Sequence, residues 1–447
     1  MSNCESSPTL QPIAVSRTES MFPVGILCFL LNTDVNMYYR QVIKVSPQQM
    51  RNDAILPPTL SSDRTVSVVT RLTRSLQMLV IDGDYPMALA VKMNRDLTLP
   101  LDQVRTAPRL SSSLPNRDDS ETMSSLPEMR RGGVAAALVK VVVDQHRESA
   151  PMPGGPRSDE LSYALGQGQM AYYRILETKG EARILRTSSD VTEHMQQWEN
   201  AVTYNGLPVG FFLGMEGADP ILWPKQVHEW YADGLRVISL GHYGPSRYGH
   251  GTGTGTEGGL FKHGPELLRE MDACGMILDI THTADETVRQ ALDIFNGPIL
   301  ASHQNCRAIV PGERQMTDEL LKRAIERGAV IGASMDTWML TRNVEKDWSG
   351  KTPQSRADLF KPEDVTLEDV ADHIEHVCDL AGNTLHASIG GDTDGQGGAI
   401  GAPHDVDTIA DYQNMAQVLG ERGWNTDDIE NIMWRNWKRY FEEFLPK

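Results

Sequence analysis

One pattern repeats five times along the chain: an amphipathic segment, a glycine, a short apolar run, then a polar residue. It appears in HEWYADGLRVISLGH (228–242), LREMDACGMILDITH (268–282), ALDIFNGPILASH (291–303), LKRAIERGAVIGASMD (321–336) and DHIEHVCDLAGNTLHASIGGD (372–392). Glycine after a last helical turn permits the left-handed stop, and an apolar run directly after it reads as a strand buried on both faces. LQMLVID (76–82), GGVAAALVKVVV (132–143) and LPVGFFLGME (207–216) bring the strands to eight. Eight β/α units predict an α/β fold, the (β/α)8 TIM barrel, rather than an open doubly wound sheet with its glycine fingerprint.

A barrel carries its chemistry at the carboxyl ends of its strands. Glu216 ends the third strand, His242 follows the fourth, His282 the fifth, His303 the sixth, and Asp392 with Asp394 the eighth. His282 and His303 project from neighbouring parallel strands ~4.8 Å apart, close enough to chelate one ion. Imidazole suits zinc, and Glu216 can complete or bridge such a site. GDTDG (391–395) begins like a calcium loop but lacks its later ligands, so Asp392 reads as a proton shuttle and Asp394 as a cap of the following turn. GHGTGTGTEGG (249–259) has no GK[ST] and reads as a flexible loop over the barrel mouth. HIEH (373–376) is not HExxH and reads as the solvated face of an amphipathic helix. No GxSxG elbow or cysteine nucleophile signature is present.

Composition narrows the class. The 447 residues carry 42 Lys and Arg against 60 Asp and Glu, a balance of −18 that repels nucleic acid and anionic lipid. Five scattered cysteines without CxxC spacing argue against a disulfide framework and for a reducing, cytoplasmic setting. The apolar stretch Met21–Leu31 falls well short of the ~20 residues of a membrane span, and Arg17 and Glu19 before it cancel, so no membrane association is expected. Residues 1–75, rich in Ser, Thr, Pro and Gln, are expected to form a loosely packed N-terminal extension, with residues 76–447 as the barrel domain. Thr106–Asp119 reads as an exposed insertion.

From about Leu79 onward the chain resembles the membrane (renal) dipeptidases, metallopeptidase family M19. The resemblance rests on GMEGADPI (214–221), LRVISLGH (235–242), GMILDITHTADET (275–287), PILASHQNCRAI (298–309) and HIEHVCDLAGNTLHASIGGDTDG (373–395). It implies a barrel with two zinc ions, in which Glu216 is the bridging carboxylate and His282 and His303 bind the second zinc. It further implies that His242 polarises the scissile carbonyl, Arg314 holds the substrate carboxylate, Asp392 moves a proton to the leaving amine, and the protein is a homodimer. The first strand departs from the family's D-G-H-x-D: here it reads Asp82-Gly83-Asp84-Tyr85-Pro86. Asp84 offers an oxygen in place of the histidine, Pro86 offers no ligand, and Asp82 with Asp84 can share a strand face as a DxD pair.

Three functions remain open: a zinc-dependent hydrolase of a dipeptide or dipeptide-like metabolite, a single-metal non-hydrolytic enzyme (decarboxylase, lyase or isomerase) acting on a carboxylated metabolite, and a catalytically inactive barrel used for binding.

Overall fold

The computed structural model describes residues 77–92, 94–106, 122–148, 154–253, 258–342, 364–395 and 398–447. The N-terminal extension and nearly all of the 106–119 insertion lie outside the described residues; Thr106 itself ends the helix Leu101–Thr106.

Nine strands are described: β1 (Val80–Tyr85), β2 (Val134–Val142), β3 (Ala182–Ile184), β4 (Val209–Glu216), β5 (Val237–Ser239), β6 (Ile277–Asp279), β7 (Ile299–Leu300), β8 (Ile331–Ala333) and β9 (Ala387–Ile389). Parallel pairing runs in the order β1-β2-β4-β5-β6-β7, and β8 pairs β9. A parallel bridge from Ala301 to Ile331 carries the curl from β7 to β8, and the Asp392 amide donates to the Asp84 carbonyl at 3.0 Å, tying the end of β9 back to β1. This is the expected α/β barrel architecture.

The eight expected strands are all present, but β3 is an addition. Since β2 runs along one edge of β4 from Gly210 to Glu216, β3 and β5 share the other, at Val209–Phe211 and at Gly214–Met215. Three residues, ARI, give too short an apolar run to stand out in sequence. The helix before it, Asp159–Thr178, is capped by Ser158, whose side chain accepts from the Leu161 amide.

Four of the five motif glycines, Gly234, Gly275, Gly328 and Gly382, have positive φ, as a left-handed helix stop requires. The fifth, Gly297, does not, because the helix Asp285–Ile294 already ends on an extended Phe295. Another set of glycines acts through close approach. A Cβ on Gly83, Gly332 or Gly390 would collide with the Ser302 carbonyl, so β1, β8 and β9 close around the end of β7 only because these positions lack side chains.

The C-terminal helix Asn436–Phe444 clasps the barrel with aromatic side chains. Trp437 donates to the Ile389 carbonyl on β9 at 2.8 Å, Tyr440 to the Ile299 carbonyl on β7 at 2.6 Å, and Phe441 stacks on Phe212 of β4 with centroids 3.7 Å apart. All three are fully buried, worth on the order of 1.5–3 kcal/mol each by area.

Candidate metal centre at the strand ends

The carboxyl ends of β4, β6 and β7 bring three groups together. The Nε2 atoms of His282 and His303 lie 3.0 Å apart, and Glu216 Oε1 is 3.4 Å from each. All three side chains are buried. Burial first, then the positive charge of Arg314, holds both imidazoles well below their ordinary pKa, so both are neutral and carry lone pairs. Neutral imidazoles facing one another beside a carboxylate are a donor set for a divalent cation such as zinc. His282 sits at φ 58, a left-handed conformation that non-glycine residues adopt at a cost of about 1–2 kcal/mol.

His242, partly open to solvent, packs its ring against His282 at 4.4 Å between centroids and points Nδ1 at Asp144 Oδ1, 2.9 Å away. Burial pulls its pKa down, but Asp144 and Glu216 together outweigh it, so the net shift is upward. Glu216, His242 and His282 can each turn a ligand atom within 4.8 Å of the others.

A second group of that kind is Asp84, His303 and Asp392. Asp84 Oδ2 lies 3.1 Å from His303 Nδ1, on the far side of the ring from His282. Asp392, at φ 55, is held well above the usual carboxylate range by burial, then by Asp84, Glu216 and Asp336, against Arg314. Arg314, 1% exposed, donates from Nη2 to the His303 carbonyl at 2.9 Å and from Nη1 to Gln304 Oε1 at 3.3 Å; its Nε has no partner among the described residues.

Asp82 and Asp84 differ in their surroundings. Asp82 accepts from the Gly391 amide at 2.7 Å, the Asp84 amide at 3.2 Å and the Thr393 hydroxyl at 3.1 Å. Burial raises it to about 7 despite these bonds. It ties β1 to the loop after β9. Asp394 is expected from sequence to cap the following turn, part of which lies outside the described residues; its carboxylate accepts from the Met123 amide at 2.8 Å and the Ser124 hydroxyl at 3.0 Å, anchoring the 122–125 loop. His373 is likewise not on a solvated face, being fully buried and accepting from the Cys306 amide at 3.0 Å, while its neighbour His376 pairs with Asp318.

Residues 249–253 lie against the site, with the Thr252 amide donating to the His282 carbonyl at 2.8 Å; residues 254–257 of that loop lie outside the described residues. Two functional neighbours escape sequence reasoning. One is Asp144, just beyond β2. The other is Lys140 inside β2, 1% exposed, whose Nζ reaches Asp279 Oδ2 at 2.9 Å, Ser302 Oγ at 3.1 Å and Asp84 Oδ1 at 3.3 Å. A lysine within an otherwise apolar nine-residue strand was the available signal, since a buried ammonium requires counter-charges.

Known proteins show the family to which the chain belongs. The family model described as membrane dipeptidase (peptidase family M19) matches residues 72–444. The chain is 28% identical over 317 residues to the dipeptidase verJ of Clonostachys rogersoniana, covering 70% of this chain and 73% of that protein. It is 27% identical over 231 residues to an uncharacterised dipeptidase of Schizosaccharomyces pombe, covering 51% of each. With the dipeptidase tcpJ of Claviceps purpurea the match covers 45% of the relative, so the chain spans about half the length of these two curated relatives. Among solved structures, a Rhodobacter sphaeroides metallopeptidase liganded with a phosphinate mimic of L-Ala-D-Ala superposes with a TM-score of 0.63 at 20% identity, covering 82% of this chain and 99% of that one. The probable dipeptidase PvdM of Pseudomonas aeruginosa gives 0.63 at 16% identity, covering 86% and 99%. At these identities the structural likeness speaks for the fold.

Proposed function

Because the chain belongs to the membrane dipeptidase family, peptidase family M19, we propose that it is a zinc-dependent hydrolase that cleaves the amide bond of a dipeptide or dipeptide-like small metabolite. The observation that carries this reading is the pair of neutral imidazoles, Nε2 to Nε2 at 3.0 Å, with Glu216 Oε1 at 3.4 Å from both. Two neutral imidazole nitrogens and a carboxylate oxygen within 3.4 Å of one another are a donor set that suits one zinc ion. When bound, zinc polarises a carbonyl and lowers the pKa of its water to ~7.

The protein's own residues supply the rest. Arg314 offers a guanidinium with donors to spare to a substrate carboxylate. His242, its Nδ1 fixed by Asp144, presents Nε2 to the carbonyl oxygen as negative charge develops there. Asp392, with its raised proton affinity, accepts a proton from the attacking water and passes it to the leaving amine. A second reading, a single-metal non-hydrolytic enzyme on a carboxylated metabolite, draws on Pro86 and on Asp82, whose oxygens are already committed to three donors. Free Cys274, Cys306 and Cys378 suit the cytoplasm, where we place the protein as a homodimer. Among the described residues no helix is long and apolar enough to cross a membrane.

The test is turnover of a dipeptide panel by zinc-supplied protein, in which His303→Ala abolishes both hydrolysis and retained zinc. Hydrolysis that survives this substitution refutes the assignment of the site. Retained zinc without turnover of any dipeptide, but with conversion of a carboxylated metabolite, favours the second reading.

A further inference from the structure

We propose that Lys140 is a built-in cation that takes the place of a second metal ion, so that the barrel mouth is a one-metal centre. The inference rests on the metal reading of Glu216, His282 and His303 given above, and it concerns how many ions they share.

Lys140 is the seventh of the nine residues of β2, near its carboxyl end, and its stem runs past β4 at Gly214, where a Cβ would come within 2.9 Å of Lys140 Cδ. An ammonium group has three N–H donors and no acceptor. Two donate, to Asp279 Oδ2 at 2.9 Å and Ser302 Oγ at 3.1 Å, and Asp84 Oδ1 faces the ammonium as an ion pair at 3.3 Å. The group is thereby held between two carboxylates and a hydroxyl at 1% exposure.

Asp84 is the residue on which a second ion would depend. It stands where the family's first strand has a histidine, and together with His303 and Asp392 it forms the second donor group of the site. Asp84 Oδ1 lies 3.3 Å from the Lys140 ammonium and Oδ2 lies 3.1 Å from Nδ1 of the neutral His303 ring, whose hydrogen bond goes to Ser302 Oγ at 3.0 Å; neither Asp84 oxygen makes a hydrogen bond among the described residues. A carboxylate behind a histidine whose other nitrogen faces the metal orients and polarises that ligand. Here the hydrogen bond that orients His303 is to Ser302 Oγ, which also accepts from Lys140 at 3.1 Å, and the Asp84 carboxylate lies beside that ring. A divalent ion bound directly to Asp84 would sit beside a buried ammonium that cannot move away, with Pro86 offering no compensating oxygen.

Asp279 completes the arrangement. Its Oδ1 accepts from the Thr281 and Ser302 amides at 3.0 and 3.1 Å, so it braces the strand ends that carry His282 and His303 while its other oxygen holds Lys140. Lys140 is thereby a positioning residue, linking β1, β2, β6 and β7 by charge where a second ion would link them by coordination.

The experiment is metal stoichiometry, independent of turnover. Full-length protein equilibrated with zinc and passed through a desalting column is expected to retain one equivalent by elemental analysis. Cobalt(II) titration is expected to saturate at one equivalent, with the spectrum of an isolated high-spin ion. Two tightly held equivalents, or a magnetically coupled cobalt pair, overturn the proposal, and none retained overturns it together with the metal site. Lys140→Ser is expected to take up a second, weaker equivalent that the added change Asp84→Asn removes. A folded Lys140→Ser protein that stays at one equivalent refutes the role of the lysine. If that variant does not fold, the cobalt result on the unaltered protein decides. One equivalent without dipeptide hydrolysis sustains this inference and sinks the peptidase reading; two equivalents with hydrolysis do the reverse.

Discussion

Arg314→Lys, combined with a change in the substrate, isolates the contact on which substrate recognition depends. A guanidinium carries five donors; Nη2 is engaged by the His303 carbonyl at 2.9 Å, Nη1 reaches Gln304 Oε1 only at 3.3 Å, and Nε is unpartnered among the described residues. Leaving charged donors unsatisfied at 1% exposure is costly, and a substrate carboxylate is the natural acceptor. Two charge-assisted hydrogen bonds at about 1.5–3 kcal/mol each amount to roughly 10²–10⁴ in kcat/KM. Lysine keeps the charge and loses the fork, so Arg314→Lys is expected to cost about 10- to 100-fold, chiefly in KM. Amidating the carboxylate of the best dipeptide substrate should cost the unaltered protein at least as much. The two losses share one interaction, so the variant should lose little more when given the amidated substrate. Because Arg314 also holds the His303 carbonyl, zinc content must be equal in both proteins for the comparison to count. If the two losses multiply as independent factors, Arg314 does not bind the carboxylate.

Two predictions concern the scaffold. His194 is buried, with Nε2 2.8 Å from the Ala135 carbonyl, and burial lowers its pKa from 6.5 to about 4. The unfolded chain therefore binds the extra proton first, and stability that is fully present above pH ~6.5 is lost as pH falls from there towards 4. About 3.4 kcal/mol is the upper limit that this lowering sets, and His194→Gln should flatten the fall of the urea midpoint across this window; identical slopes would exclude the residue. Gly168→Ala, on the exposed face of the helix Asp159–Thr178 with open space around it, should raise stability by about 0.5–1 kcal/mol. Gly251→Ala should instead depress activity at least about tenfold, since its Cβ would overlap the His242 carbonyl and displace the segment bonded to His282. Equal effects of the two alanines on turnover would contradict this.

The barrel was legible because its evidence is local and repeated. Each glycine stop sits within a residue or two of its helix, and each later strand is a continuous apolar run, so short windows suffice. What escaped was set by tertiary context. β3 is three residues long and exists because β5 leaves half of one β4 edge unpaired. His373 reads as solvent-facing on its helix, yet it is buried where it accepts from the Cys306 amide, a partner 67 residues away.

The site divides along the same line. Glu216, His242, His282 and His303 announce themselves because a polar residue directly after an apolar strand needs a reason to be there, and the barrel supplies one. Lys140 and Asp144 obey no such rule. Lys140 is a charge inside an apolar strand, explained only by Asp84 and Asp279, 56 residues before it and 139 after; Asp144 is an ordinary loop acid until His242 comes within 2.9 Å. The first-strand departure at Asp84 and Pro86 looks in sequence like a loss, two ligands gone. With Lys140 in place it is an exchange: an ammonium that cannot be chelated away replaces an ion that can, and holds both the carboxylate beside His303 and the Ser302 hydroxyl that orients it. The two changes depend on each other, since Lys140 without an acid at position 84 would lack one of its counter-charges, and Asp84 without Lys140 would be a buried carboxylate held by one histidine.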